Sequence, residues 1–184
     1  MPGITVIGPG RMGGALALAL AAQGYTIDMI VYRSRRSATK LVPRLSPKPS
    51  FTTFGEINGI ESEIVLITVQ DDDVANVADN LANKIAPRTA VFHTSGSLSS
   101  AVLLPLKEVG CSIASIHPLA SISSSESGSQ RFRGAYFCLE GDQKAVRIGR
   151  RLVRDLGGRP FTIDPSAKAI YHAAAVTAAG HATA

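Results

Sequence analysis

Short apolar runs alternate along the chain with longer stretches in which apolar residues recur every third or fourth position. That alternation predicts strands followed by helices, and so a largely parallel sheet covered on both faces. Strands are predicted at 4–7, 27–32, near 51–53, and at 64–68, 90–93, 112–116, 136–139 and 159–163. The run Ile64-Val65-Leu66-Ile67-Thr68 is apolar without alternation, as a strand buried on both faces requires. Helices are predicted over 15–22, 74–84, 99–109 and 143–156, and from Ala167 to the last residue, Ala184. Asp71, Asp72 and Asp73 open one helix, where the dipole favours acids. Asp164-Pro165 opens the last, a cap followed by proline at the first helical position. The Ser- and Gly-rich stretch 121–130 reads as a mobile loop or a lid.

The turn between the first strand and the first helix carries the clearest chemistry. Gly8-Pro9-Gly10-Arg11-Met12-Gly13 has the G-x-G-x-x-G spacing in its required context, after a strand and opening a helix. Gly8 is expected to turn the chain sharply. Gly10 is expected to let backbone approach a pyrophosphate, and Gly13 to let helix pack close on strand. The helix N-terminus then offers N–H groups to the phosphates.

The end of the second strand selects the cofactor. An NAD site places an acid roughly 20 residues past the glycines, at the strand tip. Here the strand ends in Arg33-Ser34-Arg35-Arg36, and Asp28 lies too early. Arg33, Ser34 and Arg35 suit a 2′-phosphate, which points to NADP(H); the alternative is a solvated basic loop continued by Lys40, Arg44 and Lys48.

Other polar residues gather at predicted strand ends, where ligands of doubly wound folds bind. Thr68, Val69 and Gln70 end the fourth strand and are expected beside the cofactor. Thr94 and Ser95 follow His93 at the end of the fifth, with Ser97 or Ser99 as a helix cap. His117 ends the sixth and is a candidate for proton exchange, or a structural histidine bonded to backbone. Lys168 and His172 stand four residues apart, on one face of the last helix. They are candidates for supplying a proton or anchoring an anion, with Tyr171 as a neighbouring donor. No nucleophile-elbow, zinc-protease or P-loop motif competes.

Composition narrows the classes further. The chain has 184 residues, 45% hydrophobic, and no run approaches the ~20 apolar residues of a membrane span. Its net charge of +5 divides between the loop after strand two and one helix bearing Arg147, Arg150, Arg151 and Arg154. With only 5% aromatic residues, the arginines read as a solvated face and not as a nucleic-acid surface. Cys111 and Cys138 lack metal-ligand spacing and read as reduced core thiols of a cytoplasmic protein; no metal site is expected.

Several motifs carry a family resemblance. Residues 8–15 resemble the opening of pyrroline-5-carboxylate reductases and the wider 6-phosphogluconate-dehydrogenase-like superfamily, and Arg33-Ser34 resembles their NADP-binding loop. His93-Thr94-Ser95-Gly96-Ser97-Leu98, Ser115-Ile116-His117-Pro118-Leu119 and residues 168–175 resemble a group of Rossmann-like, NADP- or deazaflavin-type oxidoreductase-like proteins. In that group an all-helical domain of unknown function follows the Rossmann domain. The resemblance implies a longer protein whose helical domain builds a dimer and closes the substrate site.

The expectation is an α/β fold: a doubly wound, mostly parallel Rossmann domain at 1–163, with the first helix of a helical substrate and dimerisation domain at 164–184. The expected activity is hydride transfer between NADP(H) and a small carbonyl or imine compound. Lys168, His172 or His117 would manage the proton, in a homodimer formed through the last helix. A non-catalytic NADP-binding sensor on the same fold is the alternative.

Overall fold

The computed structural model describes residues 1–35, 39 and 41–181. Arg36 and Lys40 of the basic loop, and residues 182–184 of the predicted last helix, lie outside the described residues.

Eight strands form one sheet in the order β3-β2-β1-β4-β5-β6-β7-β8. They are β1 (Gly3–Ile7), β2 (Thr26–Tyr32), β3 (Ser50–Thr53), β4 (Ile64–Ile67), β5 (Ala90–His93), β6 (Ser112–Pro118), β7 (Tyr136–Gly141) and β8 (Arg159–Thr162). The first six are parallel. The order reverses beside β1, with β2 on one side and β4 on the other. That is the switch point at which such folds bind ligands.

The helices are α1 (Arg11–Ala22), α2 (Asp71–Leu81), α3 (Leu104–Glu108), α4 (Ser125–Gly128), α5 (Gln143–Asp155) and α6 (Lys168–His181). Two apolar layers flank the sheet. On one face α1 and α5 bring Leu16, Leu20, Leu152 and Val153 against Val6, Leu66, Phe92 and Leu139. On the other, α2 and α3 bring Val74, Val77, Leu81 and Leu106 against Ile7, Val65, Val91 and Ile113. Both cysteines are buried free thiols, as their sequence surroundings predict. Among the described residues no helix is long and apolar enough to cross a membrane.

The sheet changes direction at its far side. β7 runs antiparallel to β6, and β8 is parallel to β7, so the last two strands oppose the first six. The extra length of β6 over the predicted 112–116 comes from this pairing: His117 and Pro118 are held opposite Cys138 and Phe137.

The Ser-rich stretch differs from its expectation. It is a helical turn, α4, followed by a 3-10 turn at Ser129–Phe132, and it packs on α1. Phe132 is fully buried in the core. A β-carbon on Gly128 would meet Ile122 at 2.5 Å and Ala15 at 3.0 Å, so the turn is pressed against α1. Packing of these apolar and glycine positions outweighs the flexibility that the serines suggest. The predicted helix 99–109 likewise divides, into a 3-10 turn at Ser100–Leu103 and the short α3.

Candidate functional site

The three glycines of the first turn do different work. Gly8 has φ +91°, left-handed backbone that suits glycine and turns the chain off β1. Gly13 lies where a β-carbon would fall 2.2 Å from Thr68 Oγ1 and 2.3 Å from the Gly8 carbonyl oxygen. The missing side chain is what lets α1 pack on the β1–β4 edge. At Gly10 a β-carbon would meet nothing within 4 Å among the described residues, so this side of the backbone faces open space.

That space opens into a groove of about 590 Å³ across the switch point. Gly8, Pro9, Gly10, Arg33, Ser34, Thr68, Val69 and Gln70 all line it, as their positions in sequence predict. Phe54, Asp73 and Asn76 line it too, and sequence reasoning did not single them out as ligand contacts.

The charges around the groove are ordered. α1 has no acid in its first turn, whereas α2 has three. The positive end of α1 is therefore left for an outside anion, while that of α2 faces its own carboxylates. Asp28, at the far end of β2, accepts a hydrogen bond from Ser62 Oγ at 2.7 Å and stands away from the strand tip. Arg33 Nη1 lies 3.3 Å from Asp73 Oδ2 in an exposed ion pair. These residues fit a dinucleotide: a cradle that a β-carbon at Gly10 would fill, unsatisfied N–H groups at the helix start, and a cation at the tip of β2.

The remaining predicted cofactor residues lie elsewhere. Arg11 borders a smaller hollow of about 230 Å³ with Arg44, Ser123 and Glu126, beyond the glycine turn. Met12, in the first turn of α1, packs against the core. Arg35 is exposed and does not border the groove. The Thr94 N–H donates to the Ile67 carbonyl at 3.2 Å. Ser95 is buried, and its hydroxyl donates to Asp71 Oδ2 at 2.8 Å.

Asp71 joins the groove to a second cluster. It follows Gln70, and it also accepts a 2.6 Å hydrogen bond from Ser97 Oγ. The 95–97 loop it holds lies under two histidines. A β-carbon on Gly96 would fall 2.6 Å from His172 Nδ1 and 2.8 Å from His117 Nε2. Both nitrogens thus converge on the space that a side chain at position 96 would take. Nδ1 of His172 is buried and has no hydrogen-bond partner among the described residues. His117 Nδ1 lies 2.8 Å from Tyr171 Oη.

Sheet register builds the layer below. His93 stands opposite Ser115, and Ser115 opposite Glu140, in one row across β5, β6 and β7. All three face the α2 side of the sheet, since Val91 and Ile113 two residues earlier do. Lys168 enters above this row, 2% exposed, and donates to Ser115 Oγ at 2.6 Å with Glu140 Oε1 4.0 Å away. Glu140 accepts from the Ser100 N–H at 2.8 Å and from Ser100 Oγ at 2.7 Å. It thereby caps the 3-10 turn in place of Ser99, whose side chain makes no capping bond.

Lys168, Tyr171 and His172 share the inward side of α6, as their spacing predicts. Glu140 and Ser100 carried no sequence signal, because their meeting depends on the β6–β7 register. The Asp164 carboxylate accepts from the Ser166 N–H at 2.9 Å and fixes the start of the segment.

Electrostatics follow burial. His117 is pushed down to about 4 by burial first and by the Lys168 ammonium second. His93 is pushed to about 4 for the same two reasons, and its Nδ1 accepts the Ser95 N–H. Burial lowers Lys168 as well, against the opposing pull of Cys138, Glu140 and Asp71. Burial and Cys138 raise the Tyr171 hydroxyl. Both imidazoles are therefore neutral near pH 7.

Comparison with known proteins agrees with this architecture. Residues 3–118 match the model of a Rossmann-like domain, and residues 135–184 match a domain of unknown function, DUF2520. Protein TM1727 from Thermotoga maritima is 27% identical, with a TM-score of 0.76 over 97% of this chain and 64% of its own. Prephenate dehydrogenase from A. aeolicus, solved with hydroxyphenyl propionate and NAD+, is 18% identical. Its TM-score is 0.76 over 91% of this chain and 62% of its own. A pyrroline-5-carboxylate reductase from Coxiella burnetii is 16% identical, with a TM-score of 0.68 over 88% and 58%. The chain therefore spans less than two thirds of the length of each of these three. No curated protein sequence matches it. With its glycine turn, switch-point groove and 3–118 match, the chain belongs to the Rossmann-like domain family, and its C-terminal part carries DUF2520 sequence.

Proposed function

We propose that this chain is the NADP(H)-binding part of an oxidoreductase acting on a small carbonyl or imine compound. The observation that carries the reading is the open backbone face of Gly10, set between the acid-free start of α1 and the Arg33–Ser34 tip of β2. Pyrophosphate suits the first two and a ribose 2′-phosphate the third. The dehydrogenases and reductases that share the fold support the class of reaction.

When bound, the nicotinamide supplies or accepts the hydride. The proton falls to the chain. In the oxidation direction, Nε2 of neutral His117 takes the proton of a substrate hydroxyl, while its Nδ1–H donates to Tyr171 Oη. In reduction the same nitrogen returns it. An anionic substrate group beside His117 and His172 would favour the protonated ring that burial first and Lys168 second disfavour, and so raise the His117 pKa toward the working range. His172 Nδ1, buried without a partner, is suited to orient the substrate.

The reading includes assembly as a homodimer through α6. Its outward side leaves Ile170 76% and Val176 58% exposed, beside Ala173 and Ala174. An apolar face of this kind calls for a cover.

The test is equilibrium titration with NADPH and NADH, followed by turnover against a panel of ketones, imines and keto acids. Tight NADPH binding with turnover supports the reading. Binding without turnover on any of them favours a sensor, and absence of binding overturns both.

A further inference from the structure

Lys168 is an unusual residue to find at the bottom of a site. Its ammonium is buried, donates to Ser115 Oγ at 2.6 Å and lies 4.0 Å from the buried carboxylate of Glu140. Ser115 Oγ passes the contact on to the Ser95 carbonyl at 3.4 Å. Ser95 is tied in turn to Asp71, next to the groove. A lysine so committed has no direct path to a substrate. One turn further along the same helix face, Tyr171 and His172 reach His117 and Gly96.

The geometry points to Lys168 as a positioning residue and not a proton donor: fixed on Ser115 beside Glu140, it sets the height of α6 on the sheet and stands as a cation behind the His117–Tyr171 pair. The inference rests on the oxidoreductase reading for its role in turnover, but its physical content does not need a substrate. The groups around His117 are Lys168, Tyr171 and His172 from α6, His93 from β5, Cys138 and Glu140 from β7, and Asp71 from α2. Of these, Lys168 and after it His172 push His117 down by charge, Asp71 opposes them, and Glu140 is the other carboxylate of the set. The direction in which Lys168 moves His117, downward, agrees with the geometry.

The test is an NMR titration of the imidazole carbons in the full chain, with His117→Gln assigning the resonance. In the unmodified protein His117 should protonate only at the acid end, near 4. In Lys168→Gln its midpoint should rise by about half a unit or more, since a nearby positive charge is lost. In Lys168→Arg it should stay low. An unmoved midpoint in folded Lys168→Gln overturns the tuning role. Should Lys168→Gln fail to fold, Ser115→Ala keeps the charge and removes its anchor. The nuclear Overhauser contact between His117 and Tyr171 should then weaken, and an unchanged contact overturns the positioning role. NADPH titration of the same samples reports separately on the oxidoreductase reading, so a protein that fails to bind NADPH still yields an answer on Lys168.

Discussion

Gly13 and Thr68 are packed so closely that no side chain fits between them. A β-carbon at position 13 would lie 2.2 Å from Thr68 Oγ1, a hydroxyl already bonded to the Gly8 and Ile7 carbonyls at 2.7 and 3.0 Å. At Gly10, three residues earlier, a β-carbon would meet nothing within 4 Å among the described residues. The two glycines should therefore respond in opposite ways. Gly13→Ala should cost stability, about 1–3 kcal/mol as overpacking does, measured by denaturant unfolding. Gly10→Val should fold normally yet abolish dinucleotide binding, because the side chain occupies the space meant for pyrophosphate. Retained affinity in folded Gly10→Val would reduce the turn to architecture.

Cofactor preference should reside in Arg33 and its neighbour across the groove. Arg33→Ala should weaken NADPH about tenfold, or ~1.4 kcal/mol, and leave NADH nearly unchanged. Asp73→Asn should act oppositely: it removes the carboxylate that now pairs with Arg33 and would repel a 2′-phosphate. Calorimetric titration with both cofactors checks the pair. Equal effects on NADPH and NADH would count against a 2′-phosphate site.

Stability should fall in mild acid through His93 and His117. Each is held at about 4 in the folded chain, against 6.5 when unperturbed. Above pH 6.5 both states leave the rings neutral and nothing is lost. Between pH 6.5 and 4 the unfolded chain takes up protons that the folded chain refuses, so stability declines. A full shift of this size is worth ~3 kcal/mol per ring. His117→Gln should flatten the profile of unfolding free energy from pH 7 to 4. A slope unchanged by the substitution would show that His117 titrates normally.

If α6 forms a dimer contact, its outward side should be sensitive to charge. Ile170→Asp should shift light scattering from dimer to monomer with little change in the far-UV dichroism of each protomer, because Ile170 is 76% exposed and outside the core. A monomeric parent protein would end the assembly reading.

The parts legible in the sequence are those whose causes are local. The glycine turn, the basic tip of β2, the Asp164-Pro165 helix start and the shared face of Lys168 and His172 each depend on a few neighbouring residues. The row His93–Ser115–Glu140 does not. It arises when β7 pairs antiparallel with β6, and a parallel pairing would have set other residues opposite Ser115. Nothing near Glu140 signals that Ser100, 40 residues earlier, will be its partner. The Ser-rich stretch misleads for the converse reason: its composition suggests motion, while Phe132 and Gly128 pack it on α1.

The reversal at β7 and β8 also decides which way α6 travels. Were β8 parallel to β6, the chain would leave it at the ligand edge, and a following helix would run away from that edge. Because β8 descends, the chain leaves it below the ligand edge, level with Leu139 and Ile116, and the helix must turn back toward that edge. Its first turn meets the middle row at Ser115, and its second arrives at Gly96 and His117. The hairpin is in effect a gauge block: adding one residue to β7 would turn Glu140 to the other face and strip the ascending helix of its footing.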